Sequence, residues 1–370
     1  MSTGIDMRIP QLFLLFFIIG SIFLNCEKVS ENTIPKETLS ENTVSLEPPI
    51  YETAPVEDKK DVPKLAHNDD VNSLAFSPDG TQALSASDDS ILKLWDVETG
   101  REIRTFLGHY GISSVIFSPN GKLALSISQY EETIKLWDVE TGNEINTFSG
   151  YQSTPISAAF ISNGEQFLSG HYDGTIKLWN IDSNQEINTF QGPRPNVYRM
   201  IFSNDGELGI VGYWDPTTKG TVTLWDIKSG QEIKTFLGHN SDIYSLNFSP
   251  DGKQILSGDS HGNIKVWDID SGEEVITFYQ PTSVSSISYS PDGKTAAASA
   301  YAGNILSKGT TVLWDLTTGH VVRDFYVYEG YAHCVSFCPN GKYILAGYND
   351  GYIRLWDVET GQIIRYFEGN

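Results

Sequence analysis

Cysteine is nearly missing from this chain, with three in 370 residues. That is too few for the stapled framework of a small secreted domain. Positive charge is scarce as well: 25 Lys and Arg stand against 47 Asp and Glu, for a formal charge of −22. A chain so poor in cations has little with which to neutralise phosphates, so nucleic acid is not an expected partner. Its only long apolar run falls short of the roughly 20 residues that a spanning helix needs. The seven histidines show no HExxH or other paired spacing, and no glycine-rich phosphate loop occurs, which removes the usual sequence marks of zinc hydrolases and nucleotide-binding loops.

What is present begins with that run. Leu12 to Leu24 reads LFLLFFIIGSIFL, preceded by Arg8 and followed by Cys26 and Glu27. Its length suits the apolar region of an export signal, about 7 to 15 residues, and the charge order directs the following chain outward. The stretch Phe23-Leu24-Asn25-Cys26 resembles the lipobox of bacterial lipoproteins, although Asn25 stands where that family usually has Gly, Ala or Ser. The resemblance implies that residues 1–25 are removed and that Cys26 becomes an acylated first residue. Such a chain would be anchored in a bacterial cell envelope, at the outer membrane on its periplasmic side or at the cell surface. An uncleaved membrane tether with the rest in the cytoplasm is the alternative. From Glu27 to Leu65 the chain carries nine acidic residues, five Lys, five Pro and a single aromatic, Tyr51. It cannot bury enough surface to order itself, so residues 26–65 read as a disordered linker.

Beyond residue 65 the sequence repeats. Trp95, Trp137, Trp179, Trp225, Trp267, Trp314 and Trp356 recur at steps of 42, 42, 46, 42, 47 and 42 residues, each followed by Asp or, at position 180, Asn. In the first copy VNSLAF, QALSAS, ILKLW and REIRTF read as four strands, with reversals at SPDG (Ser77 to Gly80) and DVETG (Asp96 to Gly100). No such sheet can bury both faces alone, so each copy must stack on its neighbours. The expected fold is all-β: a seven-bladed β-propeller of four-stranded antiparallel blades over residues 66–370.

The spacing and the Trp-Asp pairs resemble the WD-repeat family. The resemblance implies a structural hydrogen-bond set of His67, Ser85, Asp89 and Trp95 in the first blade. Tyr151 replaces the histidine in the third blade, and His261 stands at the Asp position in the fifth. The family usually closes its ring by borrowing an outer strand, but here QIIRYF (Gln362 to Phe367) supplies a complete fourth strand. Closure is then expected from face packing, unless Lys64 and Leu65 contribute.

Chemistry is sparse. Gly258-Asp-Ser-His-Gly262 fits G-x-S-x-G, but between two strands it reads as a hairpin turn rather than a nucleophile elbow. His333, Cys334 and Cys338 alternate along a strand, and the cysteines are about 13 Å apart, too far for a disulfide. No catalytic set, cofactor or metal is expected. The SPDG and DVETG reversals share one face and hardly vary. Irregularity is confined to the other, top face. From first-strand aromatic to blade Trp there are 19 or 20 residues in five blades, 23 in blade four and 25 in blade six. Top connections carry Tyr110, Tyr130, Tyr172, Tyr213, Trp214, Tyr301, Tyr331 and Tyr348, and Tyr198, Tyr244 and His333 begin first strands at the channel mouth. Aromatic anchors with insertions on one face point to a protein or peptide partner bound there. The rival reading is an enzyme or a small-ligand or glycan binder with an acidic central channel.

Overall fold

Pro78 and Gly80 turn the chain between the first two strands, with Gly80 at φ 71°, and the Ser77 hydroxyl closes the turn by accepting the Gln82 N–H at 2.9 Å. In the second reversal Asp96 accepts the Thr99 N–H at 2.7 Å. Both devices recur around the molecule, as at Ser249 with Gln254 and Asp357 with Thr360. The computed structural model describes residues 63–149, 152–161, 164–192, 197–203, 205–301, 310–327 and 330–370, with the side chains of 301 and 310 left aside. The run Leu12 to Leu24, Cys26, most of the 26–65 linker and Tyr151 lie outside the described residues. Within them, 28 strands form seven four-stranded antiparallel sheets, each built from four consecutive strands. No helix among the described residues is long and apolar enough to cross a membrane.

The core is divided among the junctions between blades. Seven buried clusters each join one blade to the next, and the cluster of Ala66, Val71, Trp95, Leu345, Ile353 and Phe367 joins blade seven to blade one. One contact recurs at six of the seven junctions: the Phe at the end of a blade's last strand packs on the Trp of the next. Phe106 meets Trp137 at 5.7 Å between centroids, Phe148 meets Trp179 at 5.3 Å and Phe236 meets Trp267 at 5.7 Å. Phe278 meets Trp314 at 5.4 Å, Phe325 meets Trp356 at 5.5 Å, and Phe367 meets Trp95 at 5.7 Å. Phe190 and Trp225 share a cluster at the remaining junction.

The Trp indole is held on its polar side in several ways. In blade one, His67 Nε2 lies 2.6 Å from Ser85 Oγ and Nδ1 3.0 Å from Asp89, while Trp95 Nε1 donates to Ser85 at 2.7 Å. His109, Ser126 and Trp137 repeat this, with Thr133 in place of the carboxylate. Blade five keeps a carboxylate from an unexpected position. Asp259, two residues before His261, lies 2.8 Å from His239 Nδ1 and keeps the set whole. Blade three takes its imidazole from the end of the second strand, where His171 sits 2.9 Å from Ser169, the acceptor for Trp179. In blade four Trp225 turns to Thr223 on its own strand, and in blade seven Trp356 donates to the Tyr348 hydroxyl at 3.2 Å. Blade six has Ala298 at the serine's register, and Trp314 Nε1 has no hydrogen-bond partner among the described residues.

Ring closure uses more than face packing. Beyond Phe367 the chain crosses to blade one: Glu368 N–H donates to the Gly100 carbonyl at 3.0 Å, and Gly369 N–H to that of Leu65 at 3.2 Å. The His67 N–H donates to Gly351 in the opposite direction at 3.0 Å. Gly100, at φ 71°, admits this crossing because a Cβ there would stand 2.7 Å from the Tyr366 carbonyl. Leu65 therefore takes part, whereas its neighbour Lys64 makes no described bond. Replacing Phe367 by Ala should cost about 3–5 kcal/mol, similar to Phe106→Ala, as read by chemical denaturation. A much smaller loss at Phe367 would show that the blade seven to one junction is not packed like the others.

Candidate partner-binding face

A β-bulge opens nearly every first strand. The pairing skips one residue between Val71 and Ser73, and between Val197 and Arg199, so two successive side chains share the channel side instead of alternating. The bulged residue of each first strand is, in chain order, Asn72, Ser113, Ile156, Tyr198, Tyr244, Ser285 and His333; all but Ile156, which is buried between blades three and four, rim the channel on the top face. Below this rim lies a cavity of about 610 Å³. Its described lining is rich in serine and contains Arg199 but no carboxylate. Among the described residues, then, the lining of this cavity is not acidic, and the carboxylates nearest to it, Asp70 and Asp242, stand at the rim.

Around the rim the aromatic side chains fall into three groups. Tyr110 and Tyr130, 61% and 78% exposed, stand edge to face at 5.9 Å on blade two. Tyr172 and Tyr198 make a similar pair at 6.3 Å across blades three and four. Tyr244 and Asp242 adjoin this pair. The Tyr198 phenol is raised from its ordinary value first by burial and then by Tyr172, Asp242 and Tyr244, and that of Tyr244 by burial and Asp242. The third group is Tyr331 over His333 at 4.9 Å. His333 Nε2 lies 2.8 Å from Asp70 across the closing junction, and burial raises the Asp70 carboxyl despite the opposing pull of His333. Trp214, at the tip of a long hairpin in blade four, is also exposed.

Two expected contact residues are in the core instead. Tyr213 is 5% exposed and Tyr348 is 1% exposed. Both occupy the last inward position of a second strand, where alternation turns them between blades while the next residue points out. Tyr213 joins a cluster with Trp225 and Val197. Tyr348 accepts from Trp356 and is stacked by Arg354, whose guanidinium centre is 4.1 Å from its ring. The side chain of Tyr301 lies outside the described residues. Cys334 and Cys338 are buried free thiols, and burial pushes Cys334 up to about 12. Gly258 to Gly262 forms the hairpin expected, with Asp259 committed to His239. Among the described residues no three His, Cys, Asp or Glu side chains converge as a metal site.

Arg199, Asp70 and Asp242 were not anticipated. Aligning first strands by register would have found Arg199, since blades one to three, five and six carry Ser at its position.

Comparison with known proteins places these features. The family model described as WD domain, G-beta repeat matches residues 60–96, 100–138, 142–180, 230–268, 272–315 and 318–357. Blade four is the copy not matched. Retinoblastoma-binding-like protein E of Dictyostelium discoideum is 37% identical over 60 residues, 16% of this chain and 11% of that protein. Transcription initiation factor TFIID subunit 5 of Caenorhabditis elegans is 36% identical over 61 residues, 16% of this chain and 9% of that protein. Nuclear distribution protein PAC1 of Coccidioides posadasii (strain C735) is 32% identical over 92 residues, 24% of this chain and 19% of that protein. The chain thus matches less than a fifth of the length of each of these relatives.

Burial separates the two neighbours at the blade-four tip. Tyr213→Ala should lower stability by about 3 kcal/mol or more, whereas Trp214→Ala should change it by about 1 kcal/mol or less. Denaturant titration reads both, and equal losses would contradict the assignment of one to core and the other to surface.

Proposed function

The chain belongs to the WD40 repeat family, and from that premise we propose that it is a non-catalytic scaffold that binds a protein or peptide through the top face of its propeller. The observation that carries this reading is the gathering of exposed aromatic side chains on one face. Tyr110, Tyr130, Tyr172, Tyr198, Trp214 and Tyr244 stand there, while the opposite face repeats the same two polar turns. Large, stiff side chains lose little entropy on binding and dominate interface energetics. One relative is, by its name, a subunit of a transcription initiation factor, which accords with assembly rather than chemistry. Tyr110, Tyr172 and Trp214 lie outside the channel lining. Changing all three to Ala should weaken a partner captured by in-cell crosslinking at least about 30-fold without lowering the melting temperature appreciably. Unaltered affinity would overturn the top-face reading.

The same proposal includes export and attachment at Cys26 to a bacterial envelope membrane. Its support is the 13-residue apolar run ahead of that cysteine and the acidic, proline-containing stretch behind it. Two or more acyl chains hold a protein stably where one does not. Intact mass of the chain from its native host should show a species beginning at Cys26 with added lipid, lost in Cys26→Ala. An unmodified chain retaining residues 1–25 would overturn the anchor and favour a tethered cytoplasmic protein.

A further inference from the structure

One position in the channel breaks the repeat. Aligned by strand register, the residue that follows the bulge in the seven first strands is Ser73, Ser114, Ser157, Arg199, Ser245, Ser286 and Cys334. Small residues at this level form a belt. Ser73 accepts the Val115 N–H at 3.2 Å, Ser245 that of Ile287 at 2.9 Å, and Ser286 that of Val335 at 3.3 Å. A guanidinium accepts no hydrogen bond, so blade four gives up this bond to its neighbour. Packing does not call for the exchange, because a serine serves in five other blades.

Arg199 is the one long side chain at its level, and the small residues opposite leave the cavity of about 610 Å³ into which it opens. No described side chain neutralises it. Among the described residues it makes no hydrogen bond or ion pair, and His333, the other basic group in the lining, is committed to Asp70 at 2.8 Å. It keeps part of its surface open to the channel, yet so deep a position is desolvated, which lowers the guanidinium from its ordinary value. An arginine remains charged even so. A partly desolvated, unpaired cation is costly on its own and becomes favourable when an anion completes it.

We propose that the channel binds a single carboxylate, held by the planar fork of Arg199 and hydroxyls of the serine belt, with Tyr198 and Tyr244 flanking its carbon skeleton. The fork matches two carboxylate oxygens in one plane. One positive charge suits one negative charge, and a phosphate dianion would be only half neutralised. Asp70 and Asp242 at the rim weigh further against a polyanion. The carboxylate could belong to a small free acid or to an acidic peptide segment of the top-face partner. The proposal takes the top face as the way in, and the two readings fail separately, because the rim substitutions above leave the channel lining intact.

Calorimetric titration of the full-length chain tests this with benzoate and succinate as free acids, and with a short acidic peptide beside its fully amidated counterpart. At least one carboxylate probe should bind at millimolar concentration or tighter, and Arg199→Ser should weaken it by about 30-fold or more. That variant restores the residue of five other blades, so its melting temperature should match the wild type. Arg199→Gln, which keeps the length without the charge, serves if the serine variant is poorly folded. Binding by the free acids assigns the site to a small molecule, and binding by the acidic peptide alone assigns it to a partner segment. The proposal is overturned if no carboxylate probe binds, if the amidated peptide binds as well as the acidic one, if loss of Arg199 leaves affinity unchanged, or if inorganic phosphate binds more tightly than every carboxylate.

Discussion

The packing of each blade's last-strand Phe on the Trp of the next blade is the contact on which the rest of this structure depends. A four-stranded sheet of this size has two apolar faces and cannot bury either alone. The indole covers one face while its N–H must still find an acceptor, and most blades supply one from a Ser, a Thr or a Tyr. Phe367 on Trp95 makes the closing junction the same kind of interface as the other six. Backbone groups of residues 368 and 369 and of Leu65 and His67 then cross the junction in both directions, so the ring is secured by packing and by backbone bonds together.

Once the ring is fixed by interior contacts, the top face and the channel are free to vary. Blades one, two, three and five keep the Ser-His-Trp set and a Lys on the third strand bonded to a Glu on the fourth. Blades four, six and seven replace it. Blade four departs furthest: it lacks the set, falls outside the family-model matches, extends its central hairpin to eight-residue strands, and bears Tyr198, Arg199 and Trp214. Features that the scaffold does not require are concentrated there, which is why both functional proposals lean on it.

The periodic Trp residues and the turn stretches made the blades legible, because each has a local cause: a fixed φ at Pro, a positive φ at Gly, and alternation of apolar residues. Legibility ended where one residue of register matters. Tyr213 and Trp214 look alike in sequence, yet alternation buries the first and exposes the second. In blade five the carboxylate comes from Asp259 rather than from the aligned position at His261, since what the imidazole needs is an acceptor within reach. Arg199 was hidden by the bulge after Val197, which places two adjacent side chains in the channel where strict alternation allows one. The crossing of residues 368 and 369 onto blade one left no pattern in the sequence, being a matter of backbone groups alone.

The central claim is that recognition lies on the irregular top face and not on the repeated turns. Hydrogen exchange of the propeller, with and without its captured partner, tests it most directly. The account predicts protection confined to top segments such as 110–112, 172–174, 197–199 and 213–215, with Ser77 to Gly80, Asp96 to Gly100 and their counterparts unchanged. Protection confined to those bottom turns would contradict it.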